Sequence, residues 1–247
     1  MNWILIAISV FGIDHCWDTQ ANDFLVDDLG YLYTISDFSL VKHRDNGDTL
    51  FVYSRMDLGK ISQVDLSNPL RPIVFYEETS NLCILDNTLS EQRLLSLWNN
   101  NFGMVEMIAS GVNQQFWVYD AINKELLLVD ERMEIRAQSG YLPGIIGGDI
   151  ALVGMAERHE QLFIADGNYG IWIFDRFGTL THRVRFENIE AIRAHADAIS
   201  IRSKEGFYTY SYASRDIAGI DVSAERFDQV KNKQFIFQQN RICVRQN

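Results

Sequence analysis

Proline is scarce in this chain, at three residues in 247. It lacks the backbone donor that an interior strand needs, so its scarcity suits a protein built mostly of laddered strands. Cysteine is equally scarce (Cys16, Cys83 and Cys243), and no two form a CxxC pair. Zinc knuckles and thioredoxin-like redox sites have no support, and the chain is not a disulfide scaffold. Cys83 in NLCILD and Cys243 in RICVRQ lie within apolar alternation and read as small buried strand residues. Positive charge is short as well: 22 Lys and Arg against 33 Asp and Glu leave a net charge of -11. That field repels a phosphate backbone or an anionic membrane surface, which argues against nucleic acid as a partner. Cations or a basic protein suit it better, although negative charge also serves plain solubility.

Recognisable catalytic motifs are missing too. The sequence holds no P-loop, no GxGxxG after a strand, no HExxH, no GxSxG and no EF-hand loop. GIIGGDIALVG is glycine-rich, but no helical pattern follows that would present amides to a phosphate. It reads as a turn that enters a strand. No segment sustains a helical period, apart from a short candidate turn near Ser90 to Leu97.

No apolar run is long enough to cross a bilayer. The strongest candidate, in MNWILIAISVFGI, supplies about a dozen apolar residues where about 20 are needed. It resembles the h-region of a signal peptide, yet no Lys or Arg precedes it and IDHC is a poor lipoprotein box. Residues 1–20 therefore carry two readings, a cleaved leader or a strand of the folded domain. Export to the periplasm or cell envelope is the reading taken. A chain that keeps the segment would be cytoplasmic.

What the sequence does have is a repeat. LFIADGNYGIWIFDRFGTL holds two apolar runs around a polar turn, then an Asp and a second turn. FWVYDAINKELLLVDERMEI and PIVFYEETSNLCILDNTLSE follow the same order. YLYTISDFSLVKHRDNGDTL is looser, and AISIRSKEGFYTYSYASRD and QFIFQQNRICVRQN are degenerate. The residues closing the second run are Asp45, Asp86, Asp130, Asp175, Tyr212 and Gln246, a period of about 40 residues. Each copy has room for four short strands bounded by Gly, Asn or Asp, residues that accept or stabilise tight turns. Four-stranded units repeated radially make an all-β propeller. Six blades are expected over residues 21–247 as one domain, with five or seven as alternatives. The last copy stops one strand short, so an N-terminal segment is expected to complete it. Either WILIAISV or His15 to Gln20 could do so.

The copy ending at Asp175 resembles the NHL repeat through Ala165, Asp166, Asn168, Ile171, Ile173, Phe174, Asp175 and Gly178. The copy ending at Asp130 replaces Ala-Asp with Tyr119-Asp120, and the others match only in topology. The whole chain also resembles the small divergent propellers of the cell envelope of Bacteroidota. That resemblance implies a non-catalytic scaffold presenting one face to a protein partner. Two alternatives are a calcium-dependent hydrolase or lactonase acting in the central channel, and a carbohydrate-binding module. The first needs oxygen ligands from several blades, for which Glu106, Asn113, Asp149 and Asp197 are candidates. No resident cofactor other than such a calcium ion is expected.

Among the five histidines none has metal-ligand spacing. In IRAHADA, alternation places Arg193, His195 and Asp197 on one side of a strand. Facing the channel, they would bind an anion or shuttle a proton; the simpler reading is a solvated or internally paired face. Arg71, Asp149 and His159 are weaker candidates for the same channel. Trp117 and Trp172 occupy matching positions near the middle strands of consecutive repeats and read as inter-blade packing, with a sugar platform as the minor alternative. WNNNFG (Trp98, Asn99, Asn100, Asn101 and Phe102, then Gly103) reads as an exposed loop between the second and third blades, a natural recognition element.

Overall fold

The computed structural model describes residues 15–98 and 102–246. Among them are six antiparallel sheets of four strands each. Blades 1 to 5 take their strands in chain order, over residues 23–54, 63–96, 105–138, 152–184 and 189–220. Blade 6 follows a different rule. Its three inner strands are Arg226–Val230, Lys233–Gln238 and Arg241–Gln246, and its outermost strand is His15–Asp18 from the other end of the chain. The fold is a six-bladed β-propeller closed by its N-terminal side.

Closure carries a covalent bond. Cys16 lies directly opposite Cys243 in the antiparallel ladder, and the two form a disulfide. The sequence reading of Cys243 as an ordinary buried strand residue is corrected here. Its partner is 227 residues away, brought alongside only when the ring shuts. Cys83 is buried and free. WILIAISV lies outside the described residues.

Burial follows the radial order. Second and third strands such as Phe116–Asp120, Gln161–Asp166 and Ile73–Tyr76 are almost wholly buried, because blades cover both of their faces. Outermost strands such as Glu91–Ser96 and Ile135–Gln138 are mostly exposed. Glu91–Ser96 replaces the helical turn expected near Ser90 to Leu97. Instead, Leu142–Ile146 forms a short α-helix between blades 3 and 4.

The repeated aspartates fold the turns. Asp86, Asp130 and Asp175 each end a third strand, and each Oδ1 accepts the backbone N–H groups two and four residues on. In blade 1 this register falls on Arg44, whose N–H bonds Asp48. Asp45 pairs instead with Lys233 of blade 6 at 2.6 Å. A second set ends the second strands. Asp166 Oδ1 accepts the N–H groups of Asn168 and Tyr169, while Oδ2 accepts that of Ala151 from the incoming connector. Asp120 does the same with Ile122, Asn123 and Gly103. The turn after Asp166 needs Gly170: its φ is 115°, and a Cβ there would sit 2.0 Å from the Val184 carbonyl.

Trp117 and Trp172 are buried, but not at matching positions. Trp117 is on the second strand of blade 3 and Trp172 on the third strand of blade 4. They enter one apolar core from its two sides.

Candidate functional site

The first strands of blades 1 to 5 line a central channel of about 520 Å³. Its open end receives the starts of these strands and the turns between second and third strands. Asp23, Asp37, Glu77 and Glu106 are placed there with Lys60 and Arg193, so acidic groups predominate. Lys60 pairs with Asp37 at 2.7 Å, and Asn22 donates to the same carboxylate. Between blades 2 and 3 the Gln63 amide clamps Ile108, donating to its carbonyl and accepting its N–H.

The far end is bridged by side chains. Arg158, at the end of the first strand of blade 4, donates to the Ser67 carbonyl of blade 2 at 3.0 Å. It also pairs with Asp28 of blade 1 at 2.7 Å, reaching the blade opposite its own. His195 Nε2 lies 2.8 Å from Asp228 Oδ1 and Nδ1 lies 3.8 Å from Asp28. Burial alone would lower the His195 pKa, but Asp228 and Asp28 outweigh it and raise it to about 9. Burial would likewise raise the Asp228 carboxyl, but His195 and then Arg193 hold it below the usual range. The pair is therefore charged at neutral pH. Ser200 and the Gln229 N–H supply further bonds to Asp228.

Beside this charged lattice sits a group of the opposite kind. Glu157 is buried, its Oε1 has no hydrogen-bond partner, and burial, with Asp65 adding to it, pushes its pKa up to about 7. Asp65 itself is fully engaged, accepting from Ser67 and from the Ser110 N–H. A polar residue from each of six blades thus converges at one end of the channel, and most of those groups satisfy one another. Such an arrangement fixes the relative height of the blades.

The predicted residues divide. Arg193 and His195 do come together on the channel wall, with Arg193 also binding Asp23 at 3.2 Å. Asp197 is in the exposed turn beyond them, where its carbonyl accepts the Tyr212 N–H. His159 lies in a turn near the far end, within hydrogen-bonding distance of the Ala196 carbonyl and edge-on to Tyr212. Arg71 is away from the channel, paired with Glu131 at 2.6 Å between blades 2 and 3. Asp149 is on the open-end face, paired with Lys124 at 2.6 Å. The four proposed calcium ligands do not converge. Glu106 and Asp149 are at the open end, whereas Asn113 and Asp197 are in turns at the other. No group of three or more His, Cys, Asp or Glu that could hold a metal occurs among the described residues.

Of the recognition loop, Trp98 is 72% exposed, but Phe102 is buried in the core between blades 2 and 3. Asn99, Asn100 and Asn101 lie outside the described residues. Sequence reasoning missed Asp28, Arg158, Glu157 and Asp228. Their signal is weak: Asp28, Glu157 and Arg158 are polar residues at or just past the end of a first strand, and Asp228 is in the middle of one, visible only once those strands are aligned.

No family model matches the chain. No curated protein matches it either. Solved structures do match. BBS1N, crystallised in complex with ARL6DN, is similar with a TM-score of 0.59 at 11% identity, over 92% of this chain and 78% of that one. The Pan2 WD40 domain of Neurospora crassa gives 0.55 at 9% identity, over 92% and 74%. Virginiamycin B lyase from Staphylococcus aureus gives 0.57 at 12% identity, over 91% and 79%. At these identities the likeness is one of fold. The same fold carries a protein found in a complex and a lyase, so the site must decide function.

Proposed function

We propose that the protein is a non-catalytic binding platform that presents its open-channel face to a protein partner in the cell envelope. The observation that carries this reading is an arc of exposed apolar side chains over blades 2 to 4. Trp98, Met104, Ile122, Tyr141, Ile145 and Tyr169 all stand on connectors or turns at that end. The arc is held together from below. The Ala121 N–H bonds the Met104 carbonyl, the Leu142 N–H bonds the Lys124 carbonyl, and the Leu97 N–H bonds the Ser80 carbonyl. Contiguous exposed apolar surface with a polar rim marks interaction sites, and aromatic anchors dominate their energetics. The acidic channel mouth beside it favours a partner with basic residues around an apolar patch.

Two further points support the envelope setting. A disulfide that latches the ring fits an oxidising compartment, and the chain as a whole resembles the small divergent envelope propellers of Bacteroidota, with the NHL-repeat likeness in the blade that ends at Asp175. No helix among the described residues is long and apolar enough to cross a membrane.

The test compares two faces. Protein carrying Trp98→Ser and Ile122→Ser should lose, by at least tenfold, retention of the partner that co-purifies with the wild type. Leu70→Ser and Phe177→Ser, at exposed apolar residues of the far end, should retain it. Equal loss in both, or loss only in the second, would remove the open face from the account.

A further inference from the structure

Five of the six seams between neighbouring blades close on apolar cores, namely 1 with 2, 2 with 3, 3 with 4, 4 with 5, and 6 with 1. Among the described residues no such core spans blades 5 and 6. That seam contains three arginines instead. Arg193 and Arg202 come from the first and second strands of blade 5, and Arg226 begins the first strand of blade 6. They line a small cavity of about 20 Å³ whose remaining walls include Phe207, Tyr208 and Phe227. The Phe207 and Phe227 rings meet across the seam at 5.7 Å. The space admits one small polar group.

The charges do not balance within the protein. Asp23 is shared, bonded by Arg193 Nη2 at 3.2 Å and approached by Arg226 Nε at 3.3 Å. Glu190 stands 3.2 Å from Arg202 Nε. Asp228, the next carboxylate, is shared by His195 at 2.8 Å and Arg193 at 3.6 Å. Three arginines and His195 therefore share three carboxylates at the seam. Moreover, the Nε atoms of Arg202 and Arg226 are buried and, though within ion-pair distance of those carboxylates, complete no hydrogen bond. Burial, and then the charges of Arg226 and Arg193, act against the Arg202 cation. Like charges brought together out of water are costly unless a counter-charge joins them. The guanidinium plane is also the group best shaped to hold two oxygens of one anion.

We propose that the seam between blades 5 and 6 is a binding site for a small oxyanion, a phosphate or carboxylate group, held by Arg202 and Arg226 against an aromatic wall. This site is independent of the partner face and stands or falls without it. The anion completes the charge balance of the seam, and the fifth and sixth blades close more tightly with it bound.

The probes are inorganic phosphate and acetate, each compared with chloride at matched ionic strength, on the full chain. Thermal unfolding and titration calorimetry give the readouts. Phosphate, acetate or both should bind once per chain and raise the melting temperature progressively with concentration. At 100 times the dissociation constant, the folding equilibrium should shift about 100-fold. Which of the two acts identifies the oxyanion class. Arg202→Gln should abolish that shift, and without anion it should melt no lower than the wild type, because it removes the uncompensated charge. Arg176→Gln, on an exposed turn of blade 4, should behave as the wild type. An identical response to chloride, no calorimetric binding of either probe, or an Arg202→Gln protein that keeps the full shift would each overturn the proposal.

Discussion

Glu157 and His195 stand within one polar cluster yet are driven in ways that compound with pH. The Glu157 carboxyl is raised by burial, so the folded protein holds its proton up to about pH 7, whereas the unfolded chain releases it near the ordinary glutamate value of 4.5. Stability therefore falls as pH rises from 4.5 through 7. His195, raised to about 9 because its acidic neighbours outweigh burial, contributes fully below its unfolded value of 6.5 and loses that contribution as pH climbs through 9. Both slopes have the same sign. Denaturation should show stability highest near pH 5 and declining toward pH 9. Glu157→Gln should remove the first part: on the order of 2–3 kcal/mol more stable than the wild type at pH 8, and no gain at pH 4.5. A gain of the same size at both pH values would mean that burial of a charge is not the cause. The sequence singled out His195 but not Glu157. MAERHE gives no sign that Glu157 is buried while Arg158 crosses the axis, because the stagger between blades decides it.

At the scale of strands and turns, the sequence was most informative where an aspartate does mechanical work. Asp86, Asp130 and Asp175 each bind two amides of the following turn, and blades 2 to 4 were readable from them. Blade 1 slipped by a residue because Arg44 holds that register and Asp45 turns to Lys233. Blade 5 was degenerate because Ser211 replaces the aspartate, with its N–H bonded to the Asp216 carbonyl. The closing strand was foreseen as a need, but its bond was not. Spacing in sequence says nothing about Cys16 and Cys243 until the ring sets them opposite each other. That bond closes a loop through nearly the whole chain, so its effect on the unfolded state is large. Replacing both cysteines by serine should cost about 2–5 kcal/mol, measured by urea unfolding without reductant. Reductant should lower the wild type to the level of the double variant and leave the variant unchanged. A wild type insensitive to reductant would mean that the latch holds without its covalent bond.

For the whole molecule, the ring gives its two ends different characters. Arg158, His195, Asp28 and Asp228 tie the blades together at one end, while the other opens onto acidic groups beside an apolar arc. The six-bladed plan was legible because a forty-residue period and a missing last strand are properties of the chain as a string. Of the proposed partner face only Trp98 was legible, because Ile122, Tyr141 and Tyr169 lie on other connectors and turns that share one end of the ring only when the blades stand side by side. Only a small part of the net negative charge, read first as solubility, is at the channel mouth, where Asp23, Asp37, Glu77 and Glu106 stand with Lys60 and Arg193. The most direct test places a photo-crosslinking amino acid at Ile122 or at Phe177 in the native cell. The account predicts a discrete adduct from position 122 and none from position 177. An adduct confined to position 177, or none from either, would contradict it.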